Sequence, residues 1–167
     1  ADVRALAEKV GVDVANLNCP GQIVLSGKKE GIMAAVAGAK QAGLRMGKEL
    51  DVAGAYHSSL MQPAQDKLAA ELAGAEIGSP NFPVVCNFEA KPVSDPADIR
   101  RTLESQVTGS VRWTGSMENL LEAGHETFLE LGPGGVLSGL MNRIRRGTKI
   151  IAAGDVESIA AAVEQLT

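Results

Sequence analysis

Asp51-Val-Ala-Gly-Ala-Tyr-His-Ser-Ser-Leu-Met61 is the stretch on which the reading of this chain turns. Before it, Leu44, Met46, Lys48 and Leu50 fall on alternate residues, the period of a strand. After it, Leu60, Ala64, Leu68 and Leu72 recur every fourth residue, the period of a helix from about Ser59 to Leu72. His57 is therefore expected at a strand-to-helix junction, at the sheet end where open α/β folds keep their sites. Imidazole is the side chain best suited to moving protons near neutral pH. Two readings fit it: a proton-transfer group, or a histidine that caps or packs a turn. With no nucleophile yet beside it, the residues alone favour the second.

Upstream, Val3, Leu6, Ala7 and Val10 mark an amphipathic helix ended by Gly11. A strand over 12–17, the turn residues Asn18-Cys-Pro-Gly21 and a strand over 22–25 read as a hairpin. A helix with Ile32, Met33 and Val36 closes at Gly43 and leads to the alternating run. The order helix, strand, strand, helix, strand is a ferredoxin-like unit without its first strand. That predicts an unpaired edge for a further segment to cover. A boundary near Val52–Ala55 separates this small subdomain, residues 1–52, from residues 53–167.

Downstream, Gly78-Ser-Pro-Asn-Phe-Pro83 reads as a loop and Val84-Val-Cys-Asn-Phe88 as a short buried strand. Asp95-Pro96 with Asp98 is a helix start: a cap, a proline in the first turn and an acid at the positive end. A helix with Trp113, Met117, Leu120 and Leu121 stops at Gly124; a strand over 127–131 meets the tight turn Gly132-Pro-Gly-Gly135. A helix with Leu137, Leu140, Met141 and Ile144, a short strand at 149–151 and a helix capped by Asp155 complete the pattern. Strands alternating with helices from 84 onward predict a mainly parallel α/β sheet.

With 45% hydrophobic and 22% charged residues in 167, the composition is that of one soluble domain. Aromatics are scarce at 3%, so the core must be built from Ala, Val, Leu, Ile and Met. A net charge of −4 argues against nucleic acid as the main partner. Cys19 and Cys86 form no CxxC pair, and two histidines make no metal site; reduced thiols in a cytoplasmic protein are the expectation. No apolar run is long enough for a transmembrane helix, and no signal peptide is evident. The chain opens without Met directly into a helix pattern, which reads as the later part of a longer polypeptide.

Gly54-Ala55-Tyr56-His57-Ser58 resembles the small-aromatic-His-Ser signature of malonyl-CoA:acyl carrier protein transacylases and related polyketide acyltransferase domains. Asn16-x-Asn18-x-Pro20-x-Gln22-x-Val24-x-Ser26-Gly27 matches the same family's hairpin, though by its residues alone it is an ordinary Asn/Pro/Gly turn. The resemblance implies an α/β-hydrolase-like acyltransferase core, present here in part, with the ferredoxin-like small subdomain lying over the cleft. It implies that His57 serves a serine nucleophile as general base and acid, a service serine needs because its hydroxyl is a weak nucleophile. It implies that the backbone carbonyl of Gln106 orients that ring and that Asn18 lines the cleft. The family usually reads Gln-Leu, two variable residues, then Pro-Val-x-Trp; here Val107 and Ser110 replace the Leu and Pro, and loss of the proline is expected to loosen the loop. Implied substrates and partners are malonyl-CoA and acyl carrier protein, in fatty-acid synthesis, with no metal or resident cofactor.

Glu130-Leu-Gly-Pro-Gly-Gly-Val-Leu-Ser-Gly-Leu140 could cradle a phosphate on helix amides, but a Rossmann pattern would need glycine at Leu137 and no Gly-Lys-Ser/Thr is present. A structural turn fits better. Arg143, Arg145 and Arg146, with Lys149, are either a cationic helix end complementing the dipole or a docking patch for the acidic carrier protein. His125 reads as a loop residue without a role. No serine stands in Gly-x-Ser-x-Gly. In the family the nucleophile, the oxyanion donors and the carboxylate-binding arginine lie upstream, so a missing N-terminal segment is expected as partner and residues 1–167 alone are expected to be inactive. Two alternatives stand beside this reading: an acyltransferase domain of a polyketide synthase, and a non-catalytic domain that binds carrier protein.

Overall fold

The computed structural model describes residues 2–166. Asp2 caps the first helix, α1 (Val3–Val10), by accepting from Arg4 N at 2.9 Å. Gly11 ends it with φ +69°, a left-handed turn that glycine adopts without steric cost. The chain then enters a hairpin of β1 (Asp13–Cys19) and β2 (Gln22–Ser26), antiparallel and in register from Asp13↔Ser26 to Cys19↔Gln22. Two irregularities interrupt β1, between Val14 and Asn16 and between Leu17 and Cys19. Asn18 sits at the second of them; such bulges re-aim side chains beside sites. α2 (Lys29–Gly38) packs on α1; Ala35 of α2 and Leu6 and Ala7 of α1 are buried.

The strand expected over 44–50 is not there. Residues 45–50 are all exposed, and among the described residues no strand pairs with them. Alternation marks the two faces of a strand, but only a partner's backbone groups make one. The helix after His57 also begins later than expected: a single 3₁₀ turn at Ser59–Met61 precedes α3 (Gln62–Gly74).

The reading of 84–131 needs correction in topology. β3 (Val84–Cys86) is partly exposed rather than buried, and it pairs antiparallel with β4 (Lys91–Val93), a strand the proline at 92 disguises. Ala90, at φ +58°, turns the chain between them. α4 (Pro96–Gln106) starts as its sequence indicates, with Asp95 accepting from Ala97 N and Asp98 N. α5 (Trp113–Glu122) follows. The one parallel pair of strands among the described residues is β5 (Thr127–Leu131) with β6 (Lys149–Ala153), joined through α6 (Val136–Ile144) and covered by α7 (Val156–Leu166). The described residues thus hold three two-stranded sheets rather than one mainly parallel sheet.

Core residues are small, as the lack of aromatics requires. Ala7, Ala15, Cys19 and Ala39 are buried; so are Met117 of α5 and Leu140 and Met141 of α6; Ile151 and Ala153 of β6 form a cluster with Ala162 of α7. No helix is long and apolar enough to cross a membrane among the described residues.

The seam is what positions the site. Leu17 N donates to Val111 O and Val111 N to Ala15 O, both at 2.8 Å, so the segment between α4 and α5 runs beside β1 as a short parallel bridge. The Ser110 hydroxyl donates to Val14 O and the Thr114 hydroxyl to Leu17 O. Instead of loosening the loop, serine at 110 fastens it: it supplies a donor that proline lacks.

Candidate active site at the His57 turn

His57 adopts φ +57°, the left-handed region that costs most residues about 1–2 kcal/mol and in which histidine is more common than most. Local bonds hold it there. Ser58, with no exposed surface, donates from Oγ to Ala55 O at 2.6 Å and so closes the turn on itself. Met61 N returns to Ser58 O. Ser59 donates from both its backbone N and its hydroxyl to Asp13 Oδ2, each at 2.8 Å.

The imidazole is half-buried, and its Nδ1 lies 3.0 Å from the backbone oxygen of Gln106 at the end of α4. A carbonyl can only accept, so Nδ1 carries the proton and donates. That fixes the neutral ring in one tautomer and leaves the Nε2 lone pair free. The Gln106 side-chain nitrogen is 3.4 Å from the same Nδ1, but both groups are donors in that tautomer. It donates instead to Gly109 O at 3.0 Å, which braces the turn that presents the carbonyl. The family resemblance pairs His57 with the main-chain carbonyl of Gln106 across 49 residues, and in the structure these two groups are 3.0 Å apart.

Gly109 explains why this turn can be so tight. A Cβ there would stand 2.4 Å from the Phe88 ring and 2.6 Å from Ser105 O. The Thr108 hydroxyl donates to Gln65 Oε1, tying the same turn to α3. These contacts, like the bond from Ser59 to Asp13, were not visible in the sequence, because hydroxyl partners far apart in the chain leave no periodic trace.

Among the described residues no hydroxyl is hydrogen-bonded to the His57 ring. Ser58 and Ser59, its neighbours, are committed to Ala55 and Asp13.

The basic cluster divides. Arg143 reaches back to the hairpin, donating from Nη1 to Gln22 Oε1 at 2.8 Å and from Nη2 to Pro20 O at 3.1 Å. Cys19 Sγ donates to the same Gln22 oxygen. Arg145, Arg146 and Lys149 are exposed. At the other end of α6, the amides that could have held a phosphate are already filled: Glu130 accepts from Leu137 N and Ser138 N at 2.9 Å and from the Ser138 hydroxyl. These bonds, the Ser138 hydroxyl foremost, hold the Glu130 carboxyl below the ordinary carboxylate range against the opposing effect of burial.

Two depressions lie near these elements, and neither is lined by His57. One of about 380 Å³ is polar and bordered by Arg4, Glu8, Phe88 and Arg112. The other, of about 210 Å³, lies among Trp113, Phe128, Leu137 and Met141. Among the described residues the Trp113 indole N–H beside it is buried without an acceptor, a cost of about 1–3 kcal/mol.

Residues 2–163 match the family described as the acyl transferase domain. The chain is 42% identical over 155 residues to the malonyl CoA-acyl carrier protein transacylase of Bacillus subtilis, covering 93% of this chain and 49% of that protein. The crystal structure of acyl-carrier-protein-S-malonyltransferase from Bartonella henselae superposes with a TM-score of 0.92 at 37% identity, over 99% of this chain and 54% of that one. A type II PKS acyl-carrier protein in complex with its malonyl-transacylase gives a TM-score of 0.93 at 38% identity, over 98% of this chain and 54% of that one. The chain spans about half the length of the curated relatives it matches. The structure is α/β with the fold of these malonyltransferases, and the chain belongs to the acyl transferase domain family.

Proposed function

We propose that this chain forms the proton-moving half of a malonyl-CoA:acyl carrier protein transacylase of fatty-acid synthesis. The observation that carries this reading is the 3.0 Å bond from His57 Nδ1–H to Gln106 O, which leaves Nε2 as a base and prepares the ring to hold a positive charge. A serine outside residues 1–167 attacks the malonyl thioester while His57 Nε2 takes its proton. As the tetrahedral intermediate collapses, the C–S bond breaks and Nε2 returns the proton to the coenzyme A sulfur, leaving a malonyl–serine ester. In the second half the phosphopantetheine thiol of the carrier protein gives its proton to Nε2 and its sulfur attacks the ester. Serine then leaves and recovers the proton. Addition, elimination and proton transfer complete the cycle, so malonyl-CoA enters as substrate and no resident cofactor takes part.

In this reading residues 1–52 form the small subdomain, incomplete as a ferredoxin-like unit, and residues 53–167 are part of the α/β core. Asn18, at the bulge in β1, lines the cleft. Arg145 and Arg146 meet the acidic carrier protein, and Arg143 holds the hairpin beside them. The polypeptide that supplies the serine is the further partner.

The test is malonyl transfer by residues 1–167 alone and after mixing with the serine-bearing segment of the same enzyme. Transfer is expected only from the mixture; robust turnover by residues 1–167 alone overturns the assignment. In the active mixture His57→Ala is expected to lower kcat by orders of magnitude, and a near-normal rate removes His57 from the chemistry.

A further inference from the structure

The His57 turn is fastened from two sides by different parts of the chain. Gln106, from the end of α4, holds the ring. Asp13, the first residue of β1, holds the backbone two residues beyond it: a single carboxylate oxygen accepts both the Ser59 amide and the Ser59 hydroxyl. Between these anchors the chain passes through the left-handed residue itself and through Ser58, whose hydroxyl is spent on Ala55. The 3₁₀ turn Ser59–Met61 has no other side-chain cap: Ser58, at the cap position, makes no capping bond. Asp13 therefore does from a distance of 46 residues what a local cap does elsewhere, and it satisfies an amide at the start of the turn that leads into α3.

We propose that Asp13 is a positioning residue for His57, acting through Ser59 so that the ring meets the Gln106 carbonyl in its Nδ1–H form. The proposal builds on the reading of His57 as the base. β1 is itself locked to the 110–114 segment through Leu17, Val111 and Ser110, and that segment follows directly on the turn presenting the carbonyl. Asp13 and Gln106 are thus held by one seam, and the two anchors keep a fixed separation. Because both bonds from Ser59 end on one oxygen, an amide oxygen can replace the carboxylate. Asn at 13 is expected to preserve the arrangement, whereas Ala is not.

The test is the nitrogen NMR signature of the two histidines in the 167-residue protein, at a pH where both rings are neutral, with thermal melting in parallel. His57 is expected as the Nδ1–H tautomer, with His125 as internal control. Asp13→Asn is expected to retain that signature, while Asp13→Ala shifts the His57 ring toward a mixture of tautomers and leaves His125 unchanged. Ser59→Ala, which keeps the backbone amide, is expected to give a smaller shift in the same direction. An Asp13→Ala protein that melts earlier with an unaltered His57 signature overturns the proposal, since the carboxylate is then only structural. If Asp13→Ala does not fold, Ser59→Ala decides: an unaltered ring overturns the proposal and a shifted ring supports it. No turnover is needed for this measurement, so its outcome is separate from that of the acyl-transfer reading, which the His57→Ala rates decide.

Discussion

Around His57, polar groups from several segments satisfy one another; around β5 and β6, apolar side chains lie open. In the first region Asp13, Ser59, Ser110, Thr108, Gln65 and Gln106 each have a named partner, and Gly109 leaves no room for a Cβ. In the second, Leu131 is 74% exposed, Val136 72% and Val156 84%, around a pair of parallel strands. Parallel sheets normally have both faces covered. The comparison separates two tasks. The seam fixes where a ring points, which calls for directional bonds. The β5–β6 unit depends on burial, and within residues 2–166 that burial is partial.

The sharpest way to break the comparison is Gly109→Ala. The added methyl meets the Phe88 ring and Ser105 O, so the turn must shift, and a loss of about 1–3 kcal/mol is expected in denaturant unfolding. The His57–Gln106 bond should weaken with it, visible in the same ring spectrum. Next comes Ser110→Ala, which leaves Val14 O without its side-chain donor; about 1 kcal/mol is expected, with amide exchange at Leu17 and Val111 accelerated. If exchange there already matched that of β5 and β6 in the unaltered protein, the contrast between the regions would be gone.

A pH titration probes the other region. The Glu130 carboxyl is depressed by its bonds to Ser138 and Leu137. A depressed folded value means its contribution is present above the ordinary glutamate value of about 4.3 and is lost as pH falls through the lower folded value. Acid melting of α6 is therefore expected to lose part of its pH dependence in Glu130→Gln. The smallest effect belongs to Leu131→Ser, expected to lie within about 0.5 kcal/mol because the side chain is already in water. A larger loss would mean that this leucine is covered in solution.

Much of this was legible in the sequence where one residue's chemistry sufficed. Asp95-Pro96 caps its helix and Gly11 ends another, whereas Gln106 comes only from the family resemblance of residues 106–113. The misreadings share a cause: pairing is a property of two segments. The run at 44–50 alternates well and pairs with no strand among the described residues, while 91–93, with a proline, becomes a strand because Val84–Cys86 lies alongside. In the sequence Asp13 is only one residue of a strand over 12–17, and Arg143 one member of a cationic cluster. Only the folded chain shows one reaching Ser59 and the other Gln22.

The backbone at His57 carries a consequence for anyone surveying substitutions there. A positive φ admits asparagine with little resistance and resists valine or isoleucine. A panel of replacements would therefore mix two causes, loss of the proposed proton transfer and a distorted chain, in proportions set by each newcomer's shape. Asparagine is the fair comparison for the proposed base, because it inherits the bend and lacks the imidazole.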